Sequence, residues 1–358
     1  MRRIAATAVP ALAALALLAG CAAAPPAATT APDAEPTEAA LECAQMVTNS
    51  GGLNDRSFNE TSWAGMQRAQ EELGVTANVL VSTSETDLAP NVQAAVDTGC
   101  GFVLTVGYEL AAATAEQAEA NPDVQFAIVD EIVEAPNVRP IVFDTAQAAF
   151  LAGYTAASVS ETGIVATFGG GNQPPVTLFM DGFAAGIDAY NEAKGADVRL
   201  LGWDPEAQDG TFTGDFENVQ LGQSQTQAFL EQGADVILPV AGQVGEGAFR
   251  ASLDAGGDAL VIWVDNDGYD TLPAEFRPLL LTSVLKNTED AVVGAIEDAA
   301  GGEISDEPVI GTLENGGVAI APFHDLDPRV SDETKTELEA LREQIIAGEI
   351  VVESPSSP

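Results

Sequence analysis

Between Glu42 and Ile346 short apolar runs alternate with helix-length segments, and no other feature of the chain constrains its fold as tightly. Each run is four to seven residues long, too short to make a helix. The first series reads AQMVT (44–48), NVLVS (78–82), FVLTV (102–106), FAIVD (126–130) and IVFD (141–144). A small-residue helix over 150–158 separates it from a second: IVATFG (164–169), VRLLGW (198–203), DVILPVA (235–241), LVIWVD (260–265) and LLLTSVL (279–285). A helix near 289–300, a strand at 317–321 and a helix at 332–346 follow. Short, mostly apolar runs joined by helices are the mark of a parallel sheet flanked by helices. Two such series predict an α/β chain of two doubly wound parallel-sheet lobes around a cleft. The length of 358 residues suits two cores.

The first twenty residues read as a leader. Arg2 and Arg3 precede an apolar stretch from Ile4 to Leu18 that is short for a membrane span. It ends in Leu18-Ala19-Gly20-Cys21, which resembles a bacterial lipobox and makes Cys21 the expected lipidated residue. Residues 21–40, rich in Ala, Pro and Thr, read as a disordered tether. Cys43 and Cys100 each adjoin a predicted strand; they are two buried thiols or, if those strands are neighbours, a disulfide, which export permits.

Composition excludes several functions. Against 55 Asp and Glu there are only 13 Lys and Arg, a net charge of −42 that repels nucleic acid and anionic lipid surfaces. Such a carboxylate-rich, lysine-poor surface keeps a protein soluble in strong salt, so stability is expected to hold or rise with NaCl. A single histidine, His324, leaves no room for a multi-histidine metal centre, and it reads as a packed or surface group, not a catalytic one. There is no P-loop; Gly169-Gly170-Gly171-Asn172 lacks dinucleotide spacing and reads as a strand-to-helix turn. Asp265-Asn266-Asp267-Gly268 matches only part of a calcium loop. Neither an enzyme, a cofactor nor a metal is expected.

Open parallel sheets bind ligands beyond the carboxyl ends of their strands. The residues there are mostly polar: Asn54, Asp55 and Asn59, with the aromatic Phe58, after the first strand, Asp130 at the end of the fourth, then Gly242, Asp265 and Lys286 in the second series. Ser57 and Glu60 form an S-x-x-E capping box opening a helix with Trp63, Met66 and Leu73 on one face and Gly74 as its stop. Phe58, at that helix start, is either a core contact or a ligand contact.

Residues 47–59, Val-Thr-Asn-Ser-Gly-Gly-Leu-Asn-Asp-Arg-Ser-Phe-Asn, with Ser62-Trp63-Ala64-Gly65, resemble the opening motif of the basic membrane protein family, lipoprotein receptors of ABC importers that bind nucleosides. The similarity continues through Phe150-Leu151-Ala152-Gly153, Phe179-Met180-Asp181-Gly182-Phe183, Gly233-Ala234-Asp235-Val236-Ile237, Val240-Ala241-Gly242-Gln243-Val244-Gly245, Thr282-Ser283-Val284-Leu285-Lys286-Asn287 and Glu314-Asn315-Gly316-Gly317-Val318. The resemblance implies a type I periplasmic-binding-protein fold with a hinged ligand cleft. Its lobes would be 41–145, completed by part of 270–325, and 146–269, completed by elements near 326–350, with 351–358 a flexible tail.

It further implies a base sandwiched between Phe58 and Phe216 and a ribose held by Gly242, Asp265 and Lys286, while the donor and acceptor groups of Asn54, Asp55, Asn59 and Asp130 suit the base edge. Stacking on aromatic faces is worth about 1–3 kcal/mol per base, and one carboxylate with one ammonium can grip a diol. Where relatives have Asp-Asp and Lys this chain has Asn54-Asp55 and Arg56, and Trp263 stands where a glycine is usual. Truncating Phe58 or Lys286 is expected to weaken binding with the fold intact. The implied partners are a nucleoside, purine for preference, an ABC permease and its ATPase, with the membrane touched only through the lipid and the receptor a monomer. A sugar or other polyhydroxylated solute, or a surface signalling or adhesion role uncoupled from transport, are the alternatives.

Overall fold

A computed structural model describes residues 41–302 and 305–358. The leader, the Cys21 lipidation site and the tether lie outside the described residues. Strand β1 (Cys43–Val47) leads to α1 (Phe58–Leu73), β2 (Thr76–Leu80) to α2 (Glu85–Asp97) and β3 (Phe102–Val106) to α3 (Ala111–Ala120); β4 (Gln125–Val129) and β5 (Val138–Phe143) follow. After α4 (Thr145–Val159) come β6 (Ile164–Gly169), α5 (Pro174–Lys194), β7 (Arg199–Leu201), β8 (Trp203–Asp204), β9 (Asp209–Gly210) and α6 (Val219–Leu230). Then β10 (Val236–Val240), α7 (Glu246–Asp254), β11 (Leu260–Asp265) and the single turn α8 (Gly268–Thr271) lead to β12 (Leu280–Lys286). Helix α9 (Thr288–Ala300), β13 (Val309–Gly311), β14 (Val318–Ile320) and α10 (Asp332–Ile346) complete the order.

Twelve of the strands form two six-stranded sheets, as the two apolar series predict, and β8 and β9 pair as a separate antiparallel ribbon. The first runs β13-β5-β4-β3-β1-β2 and is wholly parallel. The second runs β14-β12-β11-β10-β6-β7, parallel except for β14, which lies antiparallel to β12. Central strands are buried along their whole length, as in β3, β10 and β11, because helices cover both faces. The chain leaves the first sheet after β5, returns to it only for β13, and rejoins the second at β14. The three-residue β13 was not foreseen from sequence: at so short a length no alternation or apolar run can register.

Several of the glycines in and beside the motifs at 150–153 and 179–183 prove to be packing devices. A Cβ added at Gly153, Gly182 or Gly186 would meet the backbone of the facing helix at 1.9–2.3 Å. These glycines therefore let α4 and α5 lie backbone against backbone, with Phe179 and Phe183 buried around the contact. The structure also joins Cys43, at the start of β1, to Cys100, just before the neighbouring β3, in a disulfide.

Two local expectations are corrected. Helix α1 starts after Ser57 and stops at Gly74 in the left-handed conformation, yet Ser57 makes no side-chain cap bond. Asp55 caps instead: its Oδ1 accepts from the amides of Ser57 and Glu60 and its Oδ2 from that of Asn59. A carboxylate two residues upstream reaches three orphan amides at once, leaving the Ser57 hydroxyl free to donate to Asp265. Residues 351–358 are no flexible tail. Val352 joins the core, the Ser354 hydroxyl donates to Asp181 at 2.6 Å, and Ser356 bonds Thr177 at 2.9 Å.

Candidate functional site

The carboxyl ends of both sheets border one cavity, where open parallel sheets bind their ligands. From the first sheet's side it is lined by Asn49, Asp55 and Phe58 after β1, Gly107, Tyr108 and Glu109 after β3, and Asp130 after β4. The second contributes Gln173, Val176 and Phe179 of the β6–α5 region, Phe216, the Ala241-Gly242-Gln243 turn after β10, Asp265 after β11 and Lys286 after β12.

Seven of the nine residues expected at the ligand line this cavity: Asp55, Phe58, Asp130, Phe216, Gly242, Asp265 and Lys286. Asn54 is exposed and lies outside the lining, so it is corrected from the base edge to the surface. Asn59 is fully buried behind the site, donating to Asn49 Oδ1 at 2.7 Å and Asp55 Oδ2 at 3.0 Å; it is a supporting residue. Asp55 lines the cavity, but its two oxygens already accept four hydrogen bonds from α1 and Asn59, which accounts for its position without a ligand. Burial pushes its carboxyl up to about 6 against those donors.

The electrostatic centre is Lys286. Its Nζ lies 2.6 Å from Asp130 Oδ2 and 3.3 Å from Asp265 Oδ1, with all three side chains nearly or wholly buried. Burial opposes the ammonium, but the two carboxylates outweigh it and hold Lys286 above its ordinary range. Burial pushes the Asp130 carboxyl up against the pull of the same lysine. The structure therefore groups Asp130 with Asp265 and Lys286 in one ion cluster. The ammonium also stands 4.7 Å from the centroid of the Phe58 ring, a cation–π distance. Lys286 is thus a structural group as well as a candidate ligand contact, since removing it would strand two buried carboxylates.

Backbone geometry marks the same positions. Asp130 and Asp265, each at the end of a central strand, adopt φ of +64° and +70°. That left-handed region costs a non-glycine residue roughly 1–2 kcal/mol, and strain of this kind gathers where side chains must be aimed. Phe216 owes its place to glycine: a Cβ at Gly170 would fall 2.3 Å from its ring. The Gly169–Gly171 turn does lead from strand to helix, as read from sequence, and it also clears room for an aromatic wall.

The other motifs resolve as structure. Trp263 points away from the cavity into the second sheet's core, the outcome of strand alternation. His324 stacks on Tyr269 at 4.1 Å and bonds Asp267 at 2.7 Å, while the Asp267 carboxylate also caps α8. Among the described residues no cluster of His, Cys, Asp or Glu is arranged to hold a metal ion, and no helix is long and apolar enough to cross a membrane. The residues missed by sequence, Tyr108 and Glu109 above all, stand directly after β3. The strand-end rule applied to that strand would have found them.

Comparison with known proteins places these features in context. Residues 44–356 match the family model described as ABC transporter substrate-binding protein PnrA-like. A CD4+ T-cell-stimulating antigen of Listeria monocytogenes serovar 1/2a is 30% identical over 331 residues, covering 87% of this chain and 88% of that protein. An ABC transporter nucleoside-binding protein, BmpA, of Lactococcus lactis subsp. cremoris is 28% identical over 99% of both chains. The crystal structure of an ABC transporter solute-binding protein from Aeropyrum pernix K1 superposes with a TM-score of 0.77 at 26% identity, covering 86% of this chain and 92% of that one. The fold is accordingly that of the type I periplasmic solute-binding proteins.

Proposed function

Because the chain belongs to the PnrA-like family of ABC transporter substrate-binding proteins, and is thus an extracytoplasmic solute-binding protein that implies a permease and an ATPase as partners, we propose that its solute is a nucleoside, purine for preference. The observation that carries this reading is one cavity holding two aromatic rings from opposite sides, Phe58 and Phe216, together with the Asp265–Lys286 couple. Flat rings suit a base; a carboxylate beside an ammonium suits the vicinal hydroxyls of ribose, which both donate and accept. The nucleoside-binding relative from Lactococcus supports the same choice.

Charge narrows the ligand further. Among the described lining residues Lys286 is the sole basic side chain, and two carboxylates already share it. With Glu109 and Asp55 added, the cavity is net negative, so a phosphate ester would be repelled and a neutral nucleoside is favoured. Closure would act through contacts between groups on the two sheets: Lys286 with Asp130, Ser57 with Asp265, and Arg56 with Glu246 at 3.1 Å. A ligand bridging the sheets stabilises the form that makes them. Cys21 is the proposed lipid anchor, and the receptor is proposed to act as a monomer.

Calorimetric titration of the full chain with purine and pyrimidine nucleosides, ribose, free bases and nucleoside 5′-monophosphates tests the reading. Tight binding of a nucleoside, with either half alone and the monophosphate at least tenfold weaker, is the expected result. Binding of ribose or another sugar as tightly as any nucleoside would overturn it in favour of a sugar receptor.

A further inference from the structure

The wall of the cavity after β1 and β3 carries a polar pair with a donor and a carboxylate that no other described residue engages. Asn49 has its amide orientation fixed, because Oδ1 accepts from the Gly51 amide at 3.0 Å and from Asn59 Nδ2 at 2.7 Å. Its own Nδ2 is left as a donor. Beside it stands Glu109, on the 3-10 turn Tyr108–Leu110, whose carboxylate accepts no hydrogen bond from any other residue among those described. Both converge on Gly107: a Cβ there would lie 2.7 Å from Glu109 Oε2 and 3.3 Å from Asn49 Nδ2. Gly107 sits at φ +115°, a conformation that keeps the position bare of any side chain. Burial raises the Glu109 carboxyl above its ordinary range, and the nearby Asp130 charge adds to the effect. A largely desolvated carboxylate without partners gains more from a ligand's N–H groups than one in water does.

Resting on the nucleoside reading above, we propose that Asn49 and Glu109 read the Watson–Crick edge of the base and select a guanine-type nucleoside. The wall offers one donor beside a double acceptor. Guanine presents the complement: its O6 accepts from Asn49, while N1–H and the 2-amino group donate side by side to the two Glu109 oxygens. Hypoxanthine lacks the 2-amino donor. Adenine has one donor group beside an acceptor nitrogen, so it can engage only one carboxylate oxygen. Charge-assisted bidentate pairing is the stronger kind, and a site built for a donor rejects the analogue that lacks it.

The test is a two-by-two comparison of the full chain and its Glu109→Gln variant with guanosine and inosine, by calorimetry. The unaltered chain is expected to bind guanosine at least about tenfold more tightly than inosine, and Glu109→Gln to shrink that ratio to about twofold. The ratio isolates the 2-amino contact, because a general disturbance of the site weakens both ligands alike. Nucleosides bound without a guanosine advantage, or an advantage untouched by Glu109→Gln, would overturn the inference and leave the nucleoside reading standing. Failure to bind any nucleoside would remove both.

Discussion

Replacing Lys286 by methionine removes one charge and keeps most of the side chain's volume, so its consequence can be worked from the ion cluster. At an effective dielectric constant of about 20, an ammonium 2.6 Å from one carboxylate oxygen and 3.3 Å from another gains roughly 6 and 5 kcal/mol of attraction. Desolvation of three charges offsets much of this, and deleting one member of such a buried cluster costs about 3–5 kcal/mol. For a chain of this size that is a fall in Tm of about 5–8 °C. Acidity should distinguish this cause from simple loss of packing. Burial already holds the Asp130 carboxyl above its ordinary value of 3.8, with Lys286 opposing the rise; without the lysine the folded-state value climbs further. The folded Lys286→Met chain then takes up a proton that the unfolded chain does not, so its stability increases as pH falls. Thermal and urea unfolding at pH 8 and pH 5 should show the deficit largest at pH 8, and adding Asp130→Asn should restore part of it. A deficit under about 1 kcal/mol, or one of equal size at both pH values, would refute the view that Lys286 neutralises buried carboxylates.

Gly186→Ala drives a methyl group to within 1.9 Å of the Phe150 carbonyl oxygen; despite the better helix propensity of alanine, unfolding should show a loss of about 1–3 kcal/mol. The Asp55 carboxyl, raised by burial to about 6, should titrate near that pH by carbon-detected NMR. Because its folded value exceeds the unfolded one, this group's contribution to stability grows as pH falls from about 6 toward 4; a titration below pH 4 would mean that its amide donors outweigh burial. With a net charge of −42, raising NaCl from about 0.1 M to 2 M should screen self-repulsion and raise Tm; a Tm that falls with salt would exclude an acidic surface adapted to it.

How much was legible in the sequence depended on how local the determinant was. Both sheets could be read because β3, β10 and β11 are runs of mostly apolar residues, a signal carried by consecutive positions. The strand-end rule found Asp130, Asp265 and Lys286 one at a time, yet assigned Asp130 to the base. Their union is a fact of tertiary structure: β4 belongs to one sheet and β11 and β12 to the other, and no spacing along the chain states that their ends meet. Asp55 was read as a ligand group because its four partners, three of them backbone amides, have no sequence signature that separates a cap from a contact. Glycines were ambiguous in the same way. Gly170 marked a turn, but its need to admit the Phe216 ring is visible only where the two come together.

One backbone feature ties fold to site more closely than any motif. Asp130 and Asp265 are the only residues other than Arg56, Gln208 and His324, among those described, that take a left-handed conformation without being glycine. Glycine would take such positions without strain, and aspartate is among the few other residues that do so; the two carboxylates therefore incur some backbone strain as well as charge burial. Lys286 relieves the charge and cannot relieve the strain. Two aspartates at equivalent strand ends of two separate sheets, both aimed at one ammonium in one cavity, are better explained by what they hold between the sheets than by what they contribute to either core.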